Sequence, residues 1–422
     1  MSRRFIGGTG FLPAMASPLD DVLRAAESMA WSRLDGRPLC DACLGRLAGR
    51  AGHGLTNPER GRAIRERFGT PAPGGCWLCG GLLGEVDKFV DLAAAKLEPW
   101  EFTTFLVGSK VDPELVAREE ALWAELGATQ PEAIKSELNR ETGKRLSERI
   151  AKEPDLARPQ VVAIVDTAFD SVEVQVNPLF LRGRYRKLVR GIPQTRWPCR
   201  RCRGKGCEHC GGKGKMYETS VEEVVAAAVM AQTGGSGHAL HGMGREDVDA
   251  RMLGRGRPFV VEVKEPRRRT VDLEAVARLV NASGSVEVEG LRLAGVEDVV
   301  AIKEDRVAKT YRVLVRFGSP VEDGKLQDAV ASLVGRPIAQ RTPVRVSHRR
   351  ADRTRERVVT GIEVVTSDGA TTELRVTAEA GTYIKELVHG DGGRTTPSLA
   401  GALGVTCEVV ELDVLEVRDA GT

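Results

Sequence analysis

Residues 311–317 place Tyr, Val, Val and Phe alternately with Arg, Leu and Arg, the two-residue period of a half-buried strand. Residues 159–166 and 171–177 are two Val- and Ile-rich runs separated by turn formers, and they predict a hairpin. Further strands are predicted at 259–263, stopped by Pro266, and at 408–417, while Ser367-Asp368-Gly369 predicts the turn of a long hairpin. Helical signals lie between these runs. Asp112-Pro113 reads as the cap and first turn of a helix that Gly127 closes, and a second helix runs through 136–141 with Gly143 as a weak point. Ser220-Val221-Glu222-Glu223 is a capping box that opens a helix closed by Gly234 and Gly235. Gly381-Thr382-Tyr383-Ile384-Lys385 joins a strand to another helix. The pattern is that of an α+β protein without internal repeats.

A chain of 422 residues predicts two to four domains, each with its own core. Residues 1–18 read as a disordered tail and 19–92 as a helical metal-binding module, a lid or brace too small to hold a large core by itself. Residues 93–192 form a mixed α/β domain ending in a basic edge at Arg182, Arg184, Arg186 and Lys187. Residues 193–422 form the largest domain, with a four-cysteine insertion at 199–210.

The cysteines change this picture most. Eight of nine fall into C-x-x-C pairs, Cys40/Cys43, Cys76/Cys79, Cys199/Cys202 and Cys207/Cys210, leaving Cys407 unpaired. Two thiolates on one tight turn grip half of a tetrahedral zinc, and a second turn completes the shell. No βαβ pattern surrounds them, which argues against redox turns. Four sulfur ligands leave no open position, so both expected zincs are structural. The inner pairs are separated by only four residues, which is feasible where Gly204 and Gly206 bend the chain.

The net charge of +3 hides strong asymmetry. Residues 182–215 carry eight arginines and four lysines against one acid, Glu208, and residues 341–357 carry seven arginines. Ordinary solvated faces interleave both signs, so both runs are candidates for nucleic-acid contact. No run of 18 apolar residues appears, nor an export signal, and thiolate metal sites suit a reducing cytoplasm.

Phosphate loops of the G-x-x-x-x-G-K-[ST] type, dinucleotide fingerprints and G-x-S-x-G elbows are absent. The six histidines, His238 and His241 among them, fit no zinc-protease spacing and read as core or RNA-facing groups. What remains is carboxylate chemistry on a nucleic acid.

Five strings carry a resemblance. They are residues 181–197 (LRGRYRKLVRGIPQTRW), 244–259 (GREDVDARMLGRGRPF), 308–312 (AKTYR), 340–352 (QRTPVRVSHRRAD) and 381–391 (GTYIKELVHGD). Each alone is commonplace; together and in this order they resemble the Pus-ten class of tRNA pseudouridine synthases of archaea and eukaryotes. The segment around Phe105-Leu106-Val107-Gly108 resembles a THUMP RNA-binding domain. The resemblance implies a catalytic domain on a mixed, largely antiparallel sheet beside a THUMP-like domain, and isomerisation of uridine 55, with uridine 54, in the tRNA T-loop. It implies no organic cofactor and no obligatory protein partner, since the reaction neither gains nor loses atoms.

By the G-R-x-D pattern, Asp247 is the implied catalytic residue, with Asp249 its local rival. An aspartate in a dry pocket needs a nearby cation to stay ionised, and the resemblance offers Lys385. Tyr311 is implied to stack on the target base, Tyr383 to line its site, and Arg245 to hold the displaced strand. Arg341, Arg349 and Arg350 are expected phosphate contacts. Two other readings have distinguishing features. A THUMP-bearing methyltransferase or thiolation enzyme would need a methyl-donor or pyrophosphate loop, and neither is present; a zinc RNA-binding factor without chemistry would be indifferent to loss of Asp247.

Overall fold

The computed structural model describes residues 17–71, 74–349 and 351–418. The expected tail at 1–18 therefore lies almost wholly outside the described residues. The chain divides into two compact units, residues 1–177 and 178–422.

In the first unit, helices α1 (Pro18–Glu27), α2 (Asp41–Arg46) and α3 (Asn57–Phe68) precede α4 (Val86–Leu97), α5 (Pro113–Leu126) and α6 (Ile134–Ile150). Ser17 and Thr56 begin α1 and α3 with capping boxes, and Asp112 caps α5 as its Asp-Pro pair predicts. Strands β1 (Thr104–Lys110), β2 (Glu153–Pro154), β3 (Val161–Asp166) and β4 (Ser171–Val176) form a sheet in the order β2-β1-β3-β4, with β3 and β4 the predicted antiparallel hairpin. Helix α6 continues through Gly143, where added apolar contacts of Leu138 and Leu146 with the sheet outweigh a glycine cost of about 1 kcal/mol. The boundary drawn at residue 92 runs through α4, whose Phe89, Val90, Ala93 and Leu97 face the core that also holds Val161 and Val165 of β3.

The second unit is built on a ten-stranded sheet. Its strands are β5 (Leu179–Lys187), β6 (Gly237–Gly242), β7 (Arg251–Lys264), β8 (Val286–Ala294), β9 (Lys309–Phe317), β10 (Pro337–Arg341), β11 (Thr354–Ser367), β12 (Thr371–Ala378), β13 (Thr395–Thr396) and β14 (Cys407–Val417). The order is β13-β10-β11-β12-β9-β14-β7-β5-β8, with β6 paired to β7. All pairs are antiparallel except β14 with β7. Helices α7 (Val221–Thr233), α8 (Leu273–Asn281), α9 (Val296–Glu304), α10 (Asp323–Leu333), α11 (Ile384–His389) and α12 (Leu399–Leu403) complete it. Strand β9 lies at the centre, Tyr311 between Val376 of β12 and Val414 of β14.

One expectation is corrected here. Strand β5 belongs to this sheet, bonded to β7 and β8, so the division falls before residue 178 and not at 192. His238 and His241 sit on β6, half-buried, and their rings meet Glu222 at 3.1 Å and Glu262 at 2.9 Å. They satisfy carboxylates within the unit.

Candidate active site

The loop between β6 and β7 is pinned from beneath. Gly244 takes φ +80°, and a Cβ there would lie 3.2 Å from Arg257 Nη1 and 3.4 Å from Lys309 Nζ, so only glycine fits both backbone and space. Two residues on, the Glu246 carboxylate points into the core, accepting bonds from Tyr185 Oη at 2.8 Å and Arg257 Nε at 2.9 Å. Arg257 also donates to the Met243 carbonyl, and Gln194 Nε2 reaches both Tyr185 Oη and the Gly244 carbonyl. Lys187 Nζ, itself buried, donates to the carbonyls of Asp247 and Val248 at 3.0 and 3.2 Å. The Glu246 carboxylate and the carbonyls of Met243, Gly244, Asp247 and Val248 are thereby held from the inner side. Burial raises the Tyr185 hydroxyl well above its ordinary pKa, and the Glu246 charge beside it adds to the rise.

With Glu246 turned inward, Asp247 is presented to a cavity of about 570 Å³. Its walls include Arg245, Lys309, Tyr311, Arg345, Tyr383 and Lys385. Asp247 Oδ1 accepts from Arg345 Nη1 at 2.9 Å, and Arg345 Nε is bonded to the buried Glu386 at 2.7 Å. Burial would lower the Arg345 pKa, but the Glu386 and Asp247 carboxylates hold it above the ordinary guanidinium value. Lys385 Nζ stands 3.9 Å from Asp247 Oδ2 but 2.6 Å from Asp249 Oδ2. Burial pushes the Asp249 carboxyl up, and the Lys385 hydrogen bond and charge more than offset this, leaving it below its usual value. Burial carries the Tyr311 hydroxyl up to about 12, so it is neutral at any physiological pH. Tyr383 is set by Gln340, whose buried side chain bonds both its N–H and its carbonyl.

Two family models match the chain: the Pus10 C-terminal region over residues 180–418 and the archaeal Pus10 THUMP domain over 89–166. The chain belongs to the Pus10 family. Its relatives include proteins named tRNA pseudouridine synthase Pus10 from Methanothrix thermoacetophila, 43% identical over 415 residues, and Halorubrum lacusprofundi, 46% identical over 400 residues. These alignments span 90% of this chain and 92% and 93% of the relatives. Among solved structures, a Cbf5-Nop10-Gar1 complex aligns over 46% of this chain and 44% of that one at 24% identity and TM-score 0.28. A pseudouridylate synthase aligns over 59% and 67% at 14% identity and TM-score 0.23. Likenesses this loose say nothing about the site.

In this Pus10 member the residues singled out in the sequence, Arg245, Asp247, Tyr311, Tyr383 and Lys385, all line one cavity although 140 positions separate the first from the last. Lys385 stands within ion-pair range of Asp247, but the closer cation is Arg345: the first turn of α11 places Lys385 over Asp249 while the segment Val344–Arg349 brings Arg345 between Asp247 and Glu386. Coulomb attraction falls with distance, and only the 2.9 Å contact is also a hydrogen bond. Arg345, Glu246, Arg257, Lys187 and Lys309 escaped the sequence reading, since no local pattern marks a pair 98 residues apart.

The basic runs are corrected too. Arg182 pairs with Asp298, Arg186 with Glu287 and Arg190 with Asp413, while Arg184 bonds the carbonyls of Gly256 and Val417. These arginines hold the sheet together. The exposed cations of that run are Arg196, Arg200, Arg201, Arg203, Lys205 and Lys213, on and around the four-cysteine segment. In the second run Arg341 is bonded to Asp352; the side chain of Arg349 and all of Arg350 lie outside the described residues.

Both cysteine sets converge: the Sγ atoms of Cys40, Cys43, Cys76 and Cys79 lie within 4.8 Å of one another, as do those of Cys199, Cys202, Cys207 and Cys210. Separations of 3.8 Å for Cys40–Cys79 and Cys202–Cys210 suit a metal: a tetrahedral ion bound at about 2.3 Å sets sulfurs roughly 3.8 Å apart. Gly204 and Gly206 take φ +101° and +86°, the bend expected of them. Cys407 lies in the core, where burial pushes its thiol up to about 11. No described helix is long and apolar enough to cross a membrane.

Proposed function

We propose that this chain isomerises uridine 55, and also uridine 54, in the T-loop of tRNA to pseudouridine, with Asp247 as the catalytic residue. The observation that carries the reading is a carboxylate facing a cavity on a loop pinned from beneath, with the Arg345 guanidinium bonded to it at 2.9 Å. A uridine must leave its stack to reach it. Tyr311 then covers the base, Tyr383 and Lys385 line the sugar and phosphate side, and Arg245, exposed at the rim, meets the displaced strand. Asp247 acts at the anomeric centre or the neighbouring proton, the glycosidic bond breaks, the uracil turns, and carbon 5 bonds to the sugar. Nothing is gained or lost, so no organic cofactor enters.

Affinity comes from phosphate contacts by the THUMP domain and the exposed arginines of the four-cysteine segment, recognising a folded RNA mainly by shape. Each cysteine set holds a structural zinc, and such thiolate sites and a tRNA substrate suit the reducing cytoplasm to which we assign the protein. Zinc-free protein from a chelator-free preparation would refute the metal assignment. The test of the activity is incubation of the purified chain with unmodified tRNA, followed by mapping of pseudouridine. Modification confined to the T-loop, needing no nucleotide or methyl donor, is expected; absence of pseudouridine sinks the reading.

A further inference from the structure

Lys309 opens β9 two residues before Tyr311, so both side chains leave the same face of the strand and enter the cavity. It is 8% exposed, and its ammonium lies against Gly244 of the Asp247 loop. The neighbouring Arg257 is neutralised by Glu246 at 2.9 Å. Lys309 has no such match: among the described residues no carboxylate or carbonyl is bonded to it, and Asp305 acts only through space. With no carboxylate beside it, the ammonium is solvated only from the cavity it lines, so a ligand that fills the cavity must replace that water with an acceptor of its own.

The depth of the group says which ligand. Arg345 and Lys385 have side chains 36% and 19% exposed, towards the rim where a sugar-phosphate backbone stays hydrated. Lys309 lies deeper, beside Tyr311, where only the base of an extruded nucleotide reaches. When the C1′–N1 bond breaks, its electron pair leaves with the uracil, whose negative charge spreads from N1 to O2 and O4. We propose that Lys309 is a further catalytic residue, its ammonium donating a hydrogen bond to a carbonyl oxygen of the detached uracil and stabilising that anion. Lys309 keeps its own proton: its hydrogen bond is released as C5 joins C1′, a base or water then takes the C5 proton, and N1 takes a proton from solvent, so the net change moves one hydrogen from C5 to N1. This rests on the isomerase reading above, and holds whichever atom Asp247 attacks.

The groups facing Lys309 set its titration. Burial and the Arg257 charge lower its pKa and Asp305 partly restores it, leaving about 8, while Tyr311 stays neutral throughout. The ammonium is therefore present below that value and lost as pH rises through it.

The experiment is single-turnover pseudouridine formation in an unmodified tRNA transcript across pH, with tRNA binding measured in parallel, for wild type, Lys309→Met and Lys309→Arg. Wild type should decline around pH 8. Lys309→Met should bind tRNA within about threefold of wild type yet react about 10²-fold more slowly, as for loss of one donor to a developing anion. Lys309→Arg should recover most of that rate and lose the alkaline decline, because guanidinium stays charged. A Met variant within about threefold of the wild-type rate overturns the proposal. So does an alkaline decline that survives in Lys309→Arg, or a Met variant that loses fold and binding and is not rescued by Arg. An inactive wild type would instead count against the isomerase reading.

Discussion

The two sides of the loop at 244–249 show the same chemistry put to opposite uses. Beneath it, Glu246 is fully buried and saturated by Tyr185 and Arg257, and its charge fixes the backbone. Above it, Asp247 keeps an oxygen towards a cavity and shares a single guanidinium with Glu386. Adjacent acids thus divide the labour: one gives the loop its shape, the other meets what enters. A catalytic carboxylate must stay poorly satisfied to be reactive, and its neighbour must be well satisfied to hold it still.

The largest expected effect follows from Asp247→Ala. Single-turnover activity should fall by about 10⁴-fold, the upper range for a positioned acid or base, with tRNA binding retained. Thermal unfolding should move little, because Arg345 keeps Glu386. Retained activity would end the division between the two acids. Glu246→Ala should do the reverse in kind: it strands the Arg257 guanidinium in the core, costing about 3–5 kcal/mol. Chemical denaturation reads that loss, and a variant as stable as wild type would show that Glu246 is not the anchor.

How much of this contrast could be read from residue order is instructive. Strands at β3, β4 and β9, the caps of α5 and α7 and the four-cysteine groups were legible because each is local: alternation, capping and C-x-x-C spacing act within a few residues. Asp247, Tyr311 and Lys385 were legible only through whole motifs, whose meaning lies in their joint occurrence. Arg345 was hidden inside a run of arginines that looked uniformly like phosphate contacts. Its role is set by a bend that brings it against α11, and by Glu386, which periodicity marks only as part of a helix. Arg182, Arg184 and Arg190 misled for the same reason, since charge density in sequence does not say whether carboxylates from distant strands await in space.

Arg345→Met gives an intermediate effect that sharpens the comparison. Loss of the guanidinium leaves Asp247 with Lys385 at 3.9 Å and strands Glu386 in the interior. A rate loss of about 10²-fold is expected, with a fall in stability as well, because one cation serves both carboxylates. Pairing Arg345→Met with Glu386→Gln separates them: if stability recovers while the rate stays low, Arg345 acts on Asp247 directly. Recovery of both would make it a prop for α11.

The smallest effect belongs to Asp249→Asn. Its side chain is 67% exposed, and its 2.6 Å contact with Lys385 is an outward-facing ion pair, worth about 0–1 kcal/mol. Removing the charge frees the Lys385 ammonium to approach Asp247 Oδ2, from which it now stands 3.9 Å away. The two consequences oppose each other: the lysine loses an anchor but Asp247 gains a closer cation. A net change in single-turnover rate below about fivefold, equivalent to 1 kcal/mol, is expected. Loss on the scale of Asp247→Ala would move the chemistry to Asp249, since both acids flank the same lysine and only the rate can tell which one the nucleoside meets.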